Sequence, residues 1–337
     1  MQFTHFVGID ISKTRLDWSV VHQAEVLSTH RCDNDLDAIS EMIEKICTTL
    51  SIPLKDLLFT MEYTGRYNQH VVRALEKQQA EIWQVSPLHL TRSMGIQRGK
   101  SDPVDAKRIA LFAMRHVDQR RVHQPIRQPL VQVKALFALR RTQVRSMGSL
   151  KNQQSDLRFI EPQIQATFQE HLTATLSTLQ EQIALLEEQM LHIIHDDSRL
   201  SRLFTIMTSV TGVGKIVAIK LLLSTNEFKT ISDPKKIACQ AGIAPFAHSS
   251  GTSLNQAPRV SNMADHELKY LLHLAALAAI RTKGELQDFY HRKKQEGKHS
   301  MSVINTVRNK IVHRVCACVK HDRMYKKNYQ HPISVAA

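Results

Sequence analysis

Four acidic residues of this chain have the types and the spacing to bind a divalent metal ion: Asp10, Glu62, Asp102 and Asp105. Asp10 and Glu62 each end an apolar, strand-like run. Asp102 and Asp105 are three apart at the start of a helical segment, so both side chains can lie on one helix face. If the two strands are neighbours and the helix packs beside them, the carboxylates converge and repel one another unless a hard cation joins them. Mg²⁺ prefers this carboxylate-and-water environment, and the chemistry predicted is metal-assisted phosphodiester cleavage.

Each of these acids also has an ordinary structural interpretation. Asp10 suits a turn at a strand end, and Glu62 suits an exposed surface position. Asp102 suits the N-cap of a helix with Pro103 at its first position, and Asp105 suits the first turn, where the helix dipole favours negative charge. Four acids placed together in a sheet-and-helix pattern favour chemistry, although no single one does.

The first part of the chain alternates between strand-like and helix-like segments. Three strand-like runs joined by short turns come first, and segments with helical periodicity then alternate with two further strands. This order predicts a mixed sheet with helices on its faces. The predicted strands are 6–9, 16–21, 25–31, 57–62 and 81–85, and the predicted helices are 35–50 and about 66–79.

Basic residues exceed acidic ones, giving a formal net charge of +14, and they are concentrated in two tracts. Residues 119–155 contain no acidic side chain, and a second tract runs from Arg292 to Lys327. Such tracts beside a carboxylate pocket favour nucleic acid as the partner, although a solvated basic surface has the same composition. The residues expected to contact nucleic acid are Arg98, Lys100, Arg140, Arg141, Arg145 and Lys215.

The middle of the chain has the pattern of long helices. From about Pro129 to His195 the periodicity is helical, with a break near Pro162. Large apolar residues recur there at spacings of three and four from Leu172 to Ile193. Such a stripe packs on a partner helix, either in the same chain or in a second copy.

The part of the chain after Ser201 is also predicted to be mostly helical. Thr211–Lys215 contains a Gly-x-Gly turn between two helices and resembles a helix-hairpin-helix element, whose backbone N–H groups can bind phosphate. A glycine turn between packed helices also occurs for structural reasons alone. The segment 242–252, with Ser249 and Ser250, is predicted to be a polar loop, and long helices are predicted at about 264–282 and 300–320.

The sequence contains no pattern for export or for a membrane. No apolar stretch is long enough to span a bilayer, and the N-terminus lacks the charged and apolar regions of a signal peptide. The five cysteines lack the spacing of a disulfide framework, which suits a reducing compartment. We therefore expect a cytoplasmic protein, associated with the nucleoid during activity and without a membrane partner.

Short motifs, taken in order along the chain, resemble one family. Together they resemble the DEDD-type insertion-sequence transposases, which share their pattern with Piv-like DNA invertases. The resemblance extends over nearly the whole chain. The motifs are Gly8–Lys13, Met61–Gly65, Lys100–Ala106, Thr211–Gly214, Ala241–Pro245 and Ser249–Gly251.

The resemblance implies an α/β plus α architecture in three parts. Residues 1–125 would form a RuvC-like, RNase H-type catalytic domain with a mixed sheet. Residues 126–200 would form a helical, coiled-coil link. Residues 201–330 would form a mostly helical transposase domain that carries the helix-hairpin-helix-like element and the serine nucleophile.

The resemblance also implies a mechanism and partners. Mg²⁺ would be bound by the four acids, and Ser250 would attack DNA to form a covalent phosphoserine intermediate, with the adjacent Ser249 as the rival nucleophile. A structured non-coding bridge RNA would pair with donor and target DNA. Homodimers would assemble into homotetramers in which the acidic and serine domains meet between protomers.

Three alternatives remain open on the sequence. The first is an RNA-independent, Piv-like site-specific DNA invertase. The second is a RuvC-like, metal-dependent junction endonuclease in which water attacks directly. The third is a nucleic-acid-binding regulator with an inactive nuclease fold. The chain also departs from the family after the serine segment, where Ser261–Lys269 lacks a glycine and a Leu-Arg pair that members often carry.

Overall fold

The computed structural model describes residues 3–63, 65–93, 102–250 and 254–327, with 247–250 and 254–258 described by their backbone alone. The chain divides into two compact units, Met1–Pro125 and Ile126–Ala337. Each unit has hydrophobic clusters of its own. Among the described residues, no helix combines the length and the apolar character needed to cross a membrane.

The first unit is built around a five-stranded mixed sheet with the order β3-β2-β1-β4-β5. β2 pairs antiparallel with β1 and β3, whereas β4 is parallel to β1 and β5 is parallel to β4. This order and these directions are those of an RNase H-type sheet, so the predicted fold class is confirmed. The strands are β1 His5–Ile11, β2 Arg15–His22, β3 Glu25–Asp33, β4 Leu57–Glu62 and β5 Glu81–Val85.

Helices cover both faces of this sheet, because residues along its central strands alternate between two buried clusters. Val7 and Ile9 of β1 pack in the cluster that includes the first two helices, whereas Phe6 packs with the fourth helix on the other face. The helix predicted over 66–79 is shorter than expected, since a 3₁₀ turn precedes it. The helices are α1 Leu36–Leu50, α2 Gln69–Lys77, α3 Pro87–Ser93 and α4 Asp102–Arg115.

The second unit begins with two long helices, α5 Gln128–Asp156 and α6 Pro162–Asp196. They are joined by a short turn and pack on each other, with Arg140 of α5 bonded to Glu187 of α6. The predicted break near Pro162 is confirmed. The apolar stripe of α6 is buried within this chain along much of its length, at Leu176, Ile183, Leu186, Met190 and Ile194.

The remaining helices surround one large cluster of buried aliphatic side chains, which also includes residues from α5 and α6. The prediction of a mostly helical C-terminal part is therefore confirmed. The helices are α7 Ser198–Thr208, α8 Lys215–Thr225, α9 Pro234–Gln240, α10 His266–Arg281, α11 Glu285–Gln295 and α12 Ser300–Lys320.

The prediction of a polar loop over 242–252 is wrong for most of that segment. Residues Pro245–Ser250 form β6, which pairs antiparallel with β7, Leu254–Val260. Strand pairing uses main-chain groups, so a segment such as Pro245–Ser250 can pair without the apolar alternation that reveals a half-buried strand. Ser250 is thus the last residue of β6 and pairs with Leu254.

Candidate active site

Parallel pairing of β1 and β4 brings Asp10 and Glu62 to the same edge of the sheet. Ile9 is the register partner of Met61, so the two acids occupy the next positions on neighbouring strands. Both acids are half-buried. The Asn68 side-chain amide donates to the Glu62 carbonyl oxygen at 2.7 Å, which fixes the chain where it leaves β4.

A close approach of helix to strand places the other two acids. At Gly8, an added Cβ would lie 2.1 Å from the carbonyl oxygen of Ala106 and 2.4 Å from the nitrogen of Ala110. Only glycine allows this approach, because any Cβ would overlap the helix backbone. Gly8 is two residues before Asp10, and Ala106 directly follows Asp105. Packing at this one point therefore sets the start of α4 beside the end of β1.

Electrostatics shows that the four predicted acids share one environment. Burial and, after it, repulsion from Asp105, Asp102, Asp17 and Glu62 together raise the pKa of Asp10 to about 6. Like charges raise a carboxyl pKa only when they are close enough to interact. The structure therefore brings the four predicted acids together, although the first and the last of them, Asp10 and Asp105, are 95 residues apart in the sequence.

A fifth carboxylate belongs to this environment and was missed in the sequence. Asp17 of β2 is the antiparallel register partner of Asp10 and contributes to its raised pKa. Asp17 is 6% exposed, and the Arg31 guanidinium binds it at 2.8 Å. The only signal in the sequence was an acid inside the apolar run 16–21. Such an acid does not reveal that Asp10 is its neighbour, because this depends on the register between β1 and β2. Because Arg31 balances its charge, Asp17 is suited to support the site rather than to bind a ligand.

The acids are close enough to interact electrostatically, but the described side chains are not grouped as tightly as the ligands of a bound metal ion. Arg108, one turn after Asp105 on α4, donates to the Asp105 carboxylate at 2.8 Å. Asp102 is exposed, and Asp105 is half-buried. Within the described ranges, no three His, Cys, Asp or Glu side chains are grouped tightly enough to hold an ion. α4 includes Asp102 itself, rather than beginning after it as expected for an N-cap.

The serine hairpin lies in the second unit, and its entry is fixed by α12. The Asn305 side-chain amide donates to the Ile243 carbonyl oxygen at 2.8 Å, two residues before β6. At Gly242, which has φ +61°, an added Cβ would lie 2.5 Å from the Ala264 side chain, just after β7. The two ends of the hairpin are therefore held together at its base. Ser249 and Ser250 both lie in β6.

The residues expected to contact nucleic acid occupy different environments. Arg145 on α5 and Lys215 at the start of α8 are exposed. Arg140 is bonded to Glu187 at 2.6 Å, and Arg141 lies 3.6 Å from Glu267. Arg98 and Lys100 lie outside the described residues.

The glycine turn before α8 forms as predicted between two packed helices. Gly212 has φ +91°, and an added Cβ would lie 2.3 Å from the Ala275 carbonyl oxygen. Gly214 is the N-cap of α8 and provides no side-chain cap, so the first N–H groups of the helix have no side-chain partner from that residue. The turn therefore has a packing role at Gly212, and the helix begins at Gly214 without a side-chain cap from that residue.

Two models of one transposase family match the chain in the expected order. The IS110 DEDD transposase model matches residues 7–157, and the model described as transposase IS116/IS110/IS902 family matches residues 205–291. The first range contains all four candidate acids, and the second contains both serines. The chain belongs to the IS110/IS116/IS902 transposase family. Membership in this family implies DNA recombination as the activity and DNA as the substrate class.

Named relatives of this transposase family member include a pilin gene-inverting protein. The pilin gene-inverting protein of Moraxella lacunata is 22% identical over 96% of this chain and 98% of its own length. An uncharacterized protein of insertion element IS110 from Streptomyces coelicolor is 29% identical over 42% of this chain and 34% of its own length. Among solved structures, Thermus thermophilus RuvC in complex with a Holliday junction substrate is 14% identical. It aligns with a TM-score of 0.29 over 36% of this chain and 99% of that chain.

Proposed function

We propose that this transposase cuts and rejoins DNA strands through a covalent phosphoserine intermediate at Ser250, with Mg²⁺ held by Asp10, Glu62, Asp102 and Asp105. The observation that carries the proposal is the placement of Asp10 and Glu62 at the ends of two paired parallel strands, with the start of α4 packed against β1 at Gly8. The raised pKa of Asp10, caused by burial and by its acidic neighbours, supports it. A cluster of carboxylates at a sheet edge is costly for a resting fold, and it is the donor set that a hard divalent cation requires.

The donor chemistry fits Mg²⁺. All four side chains are carboxylates, which are hard oxygen donors. Among the described contacts, Arg108 is bonded to Asp105, whereas no basic side chain is bonded to Asp10. When bound, the ion supplies positive charge that neutralises the phosphate and makes a hydroxyl easier to deprotonate. The protein's own contribution is to hold Asp10 and Glu62 on rigid strands and Asp105 on a helix anchored at Gly8.

The serine step conserves the energy of the broken bond. The Ser250 hydroxyl loses its proton, its oxygen bonds to phosphorus, and the bond from phosphorus to the neighbouring sugar oxygen breaks, so that the sugar leaves as a hydroxyl. A second strand's hydroxyl then attacks the serine phosphoester, which re-forms a phosphodiester and releases the serine. No external energy source is needed. Ser249 is the rival for this role.

Partners of this reaction follow from charge and from the family resemblance. The exposed basic side chains of α5 and the start of α8 suit sequence-independent contacts to phosphate backbones. In this proposal a bridge RNA pairs with donor and target DNA and supplies sequence recognition by base pairing, as in other guided systems. A homotetramer built from homodimers brings the acidic group of one protomer to the serine of another.

The test of the proposal is a trapped protein–DNA adduct. Donor DNA with labelled strands is incubated with protein and Mg²⁺ and then denatured. Wild-type protein and Ser249→Ala are expected to carry covalent label, whereas Ser250→Ala carries none. Asp10→Ala is expected to lose the adduct while DNA binding is retained. Wild-type cleavage by Ser250→Ala would eliminate the serine mechanism and leave direct attack by water, as in a junction endonuclease.

A second candidate function is site-specific inversion without RNA. The observation in its favour is the full-length similarity to the pilin gene-inverting protein of Moraxella lacunata. Sequencing the RNA that copurifies with the protein separates the two functions. A guided enzyme carries one structured RNA, and ribonuclease treatment abolishes its strand transfer. An RNA-independent invertase retains full activity after the same treatment.

A further inference from the structure

One arginine of the second unit is buried without an acidic partner. Arg308 on α12 is only 6% exposed, and burial lowers its pKa. No carboxylate among the described residues forms an ion pair with it, and its Nε is buried without a hydrogen-bond partner. Burying a cation without a counter-charge is energetically unfavourable, because the charge loses its hydration. In the part of the chain that the structure describes, this charge is therefore not balanced by an acidic side chain.

The contacts of Arg308 are with two neutral side chains. Its Nη2 donates to His273 Nδ1 on α10 at 2.6 Å, and its Nη1 makes a long contact of 3.5 Å to Asn305 Oδ1. Because arginine cannot accept a hydrogen bond, His273 Nδ1 must be the acceptor, and a neutral ring then carries its proton on Nε2. Burial and the neighbouring Arg308 both lower the pKa of His273, which keeps the ring neutral.

Other cations of the same unit have acidic partners. Arg314, two turns further along α12, binds Glu285 at 2.6 Å, and its side chain is 15% exposed. Lys220 on α8 is 13% exposed and binds Asp265 at 2.8 Å. Arg308 is more deeply buried than either, and its side-chain partners among the described residues are the His273 imidazole and the Asn305 amide. Within the described ranges, the lack of an acidic partner therefore sets Arg308 apart from these two cations of the same unit.

The position of Arg308 links it to the serine hairpin. Asn305, which touches the guanidinium, also holds the Ile243 carbonyl two residues before β6. A guanidinium has five N–H donors in a planar fork, and the described residues provide it with two side-chain acceptors, His273 and Asn305. An incoming phosphate oxygen can replace the long Asn305 contact and accept from two N–H groups at once.

We propose that Arg308, with His273 as its neutral partner, forms an anion site at the base of the serine hairpin that binds one backbone phosphate of the DNA strand being joined. This site rests on the proposed function, because the serine chemistry is what brings a DNA strand to this hairpin. His273 orients the guanidinium. Asn305 contacts both the guanidinium and the Ile243 carbonyl oxygen, so binding of an anion at Arg308 is coupled to the chain segment that leads into β6.

The first experiment uses the full chain without nucleic acid and inorganic phosphate as the probe. The melting temperature is measured in phosphate and in chloride at equal ionic strength. Phosphate is expected to raise the Tm of the wild-type protein more than that of Arg308→Met. Arg314→Met, on the same helix, controls for the general stabilisation that phosphate gives to folded proteins. An Arg308→Met variant that retains the full phosphate increment would overturn the proposal.

Stability without phosphate gives an independent readout. If Arg308 is a strained, unpaired cation, Arg308→Met in phosphate-free buffer melts at or above the wild-type temperature, because an apolar side chain replaces a buried charge. Arg314→Met melts lower, since Glu285 loses its partner. A large fall in Tm for Arg308→Met without phosphate would make Arg308 a structural residue and reject the anion site.

The second experiment identifies the source of the phosphate. The salt dependence of binding is measured with a DNA duplex and with single-stranded RNA. Loss of one phosphate contact lowers the slope of log K against log salt by about 0.9 for DNA. Arg308→Met is expected to show this loss with DNA only, and a loss with RNA only would reject the DNA assignment. If Ser250→Ala still cleaves at the wild-type rate while the DNA slope falls in Arg308→Met, the serine mechanism fails and the anion site stands.

Discussion

At the scale of single residues, the surroundings of Asp10 disfavour the ionised form of its carboxyl group. Its carboxyl group is half-buried and faces repulsion from neighbouring acids, so its pKa is about 6 instead of 3.8. The folded protein therefore binds a proton more tightly at this position than the unfolded chain does. Between these two pKa values, the stability contributed by Asp10 falls as the pH rises.

Replacing Asp10 with Asn removes this repulsion, so Asp10→Asn is expected to be more stable than the wild type above pH 6. The expected gain at pH 7.5 is on the order of 2 kcal/mol, and it shrinks toward zero at pH 4, where the wild-type carboxyl is protonated. Denaturant unfolding at the two pH values measures it. Added Mg²⁺ should raise the Tm of the wild type more than that of the variant. An equal response of both proteins to Mg²⁺ would argue against Asp10 as a ligand.

Gly8 has no chemical group to offer, yet the site depends on it. Gly8→Ala places a methyl group 2.1 Å from the Ala106 carbonyl oxygen, so α4 must move away from β1. We expect a loss of about 3 kcal/mol of stability, as for overpacked cores, and loss of DNA cleavage. Gly148→Ala on α5 is the control, because nothing lies within 4 Å of its added Cβ. It should be stabilised by about 0.5–1 kcal/mol. Equal stability of the two variants, measured by urea unfolding, would contradict the contact at Gly8.

At the scale of elements, the turn after α8 shows how a buried charge holds helices together. Asn226, Glu227 and Phe228 all have positive φ angles of 47–61°, a conformation that costs energy in residues other than glycine. Glu227 is fully buried and binds Arg127 before α5 and Arg199 on α7, both at 2.8 Å. These ion pairs fix the ends of three helices around one carboxylate.

Neutralising that carboxylate should therefore be costly. Glu227→Gln leaves Arg199 without its carboxylate and Arg127 with Asp197 as its remaining acidic partner, and we expect a loss of about 3 kcal/mol in the free energy of unfolding. The exposed pair Arg202–Asp322 provides the control, since Arg202→Gln is expected to leave the Tm unchanged. Thermal unfolding followed by circular dichroism measures both. A Glu227→Gln variant as stable as the control would show that the cluster contributes little.

The elements of this fold were predictable to very different degrees. The five strands of the sheet and the helices α5, α6, α10 and α12 follow from apolar periodicity, which a sequence records directly. The β6–β7 hairpin was missed because its pairing is carried by the main chain and its residues show no regular alternation of apolar and polar side chains. The start of α2 was misplaced because a 3₁₀ turn and an α-helix have similar sequence patterns.

The residues of the candidate site were predictable only in part. Acids at strand ends and in a first helical turn are visible in sequence, so Asp10 and its three predicted neighbours could be grouped. Asp17 could not, because its proximity to Asp10 depends on the antiparallel register of β1 and β2. Arg308 has the same limitation. Its burial and its lack of an acidic partner are properties of helix packing that no spacing rule reveals.

At the scale of the whole molecule, the excess of 14 positive charges is divided between paired and exposed side chains. The sequence alone ranked Arg140 and Arg145 as equal candidates for nucleic-acid contact. The structure separates them, because Arg140 is bonded to Glu187 at 2.6 Å and its side chain is 18% exposed, whereas Arg145 is exposed. Net charge therefore overstates the charge that is available to a polyanion.

This difference predicts opposite effects of two similar substitutions. Arg145→Gln is expected to weaken binding to DNA or RNA uniformly across sequences and to reduce the salt slope by about one. Arg140→Gln is expected to leave the slope unchanged and to lower the Tm, because it breaks the link between α5 and α6. Binding measured by fluorescence anisotropy over a series of salt concentrations gives both slopes. Equal slopes for the two variants would show that the Glu187 pair opens when nucleic acid binds.

The contact between bare main chains at Gly8 has a mechanical consequence. Where side chains separate a helix from a strand, a change of rotamer can absorb a small displacement, but here no side chain lies between them. Any force that pulls the first turn of α4 toward a ligand is therefore transmitted to β1 without slack. The acids on the two elements must respond to an incoming substrate as one stiff body.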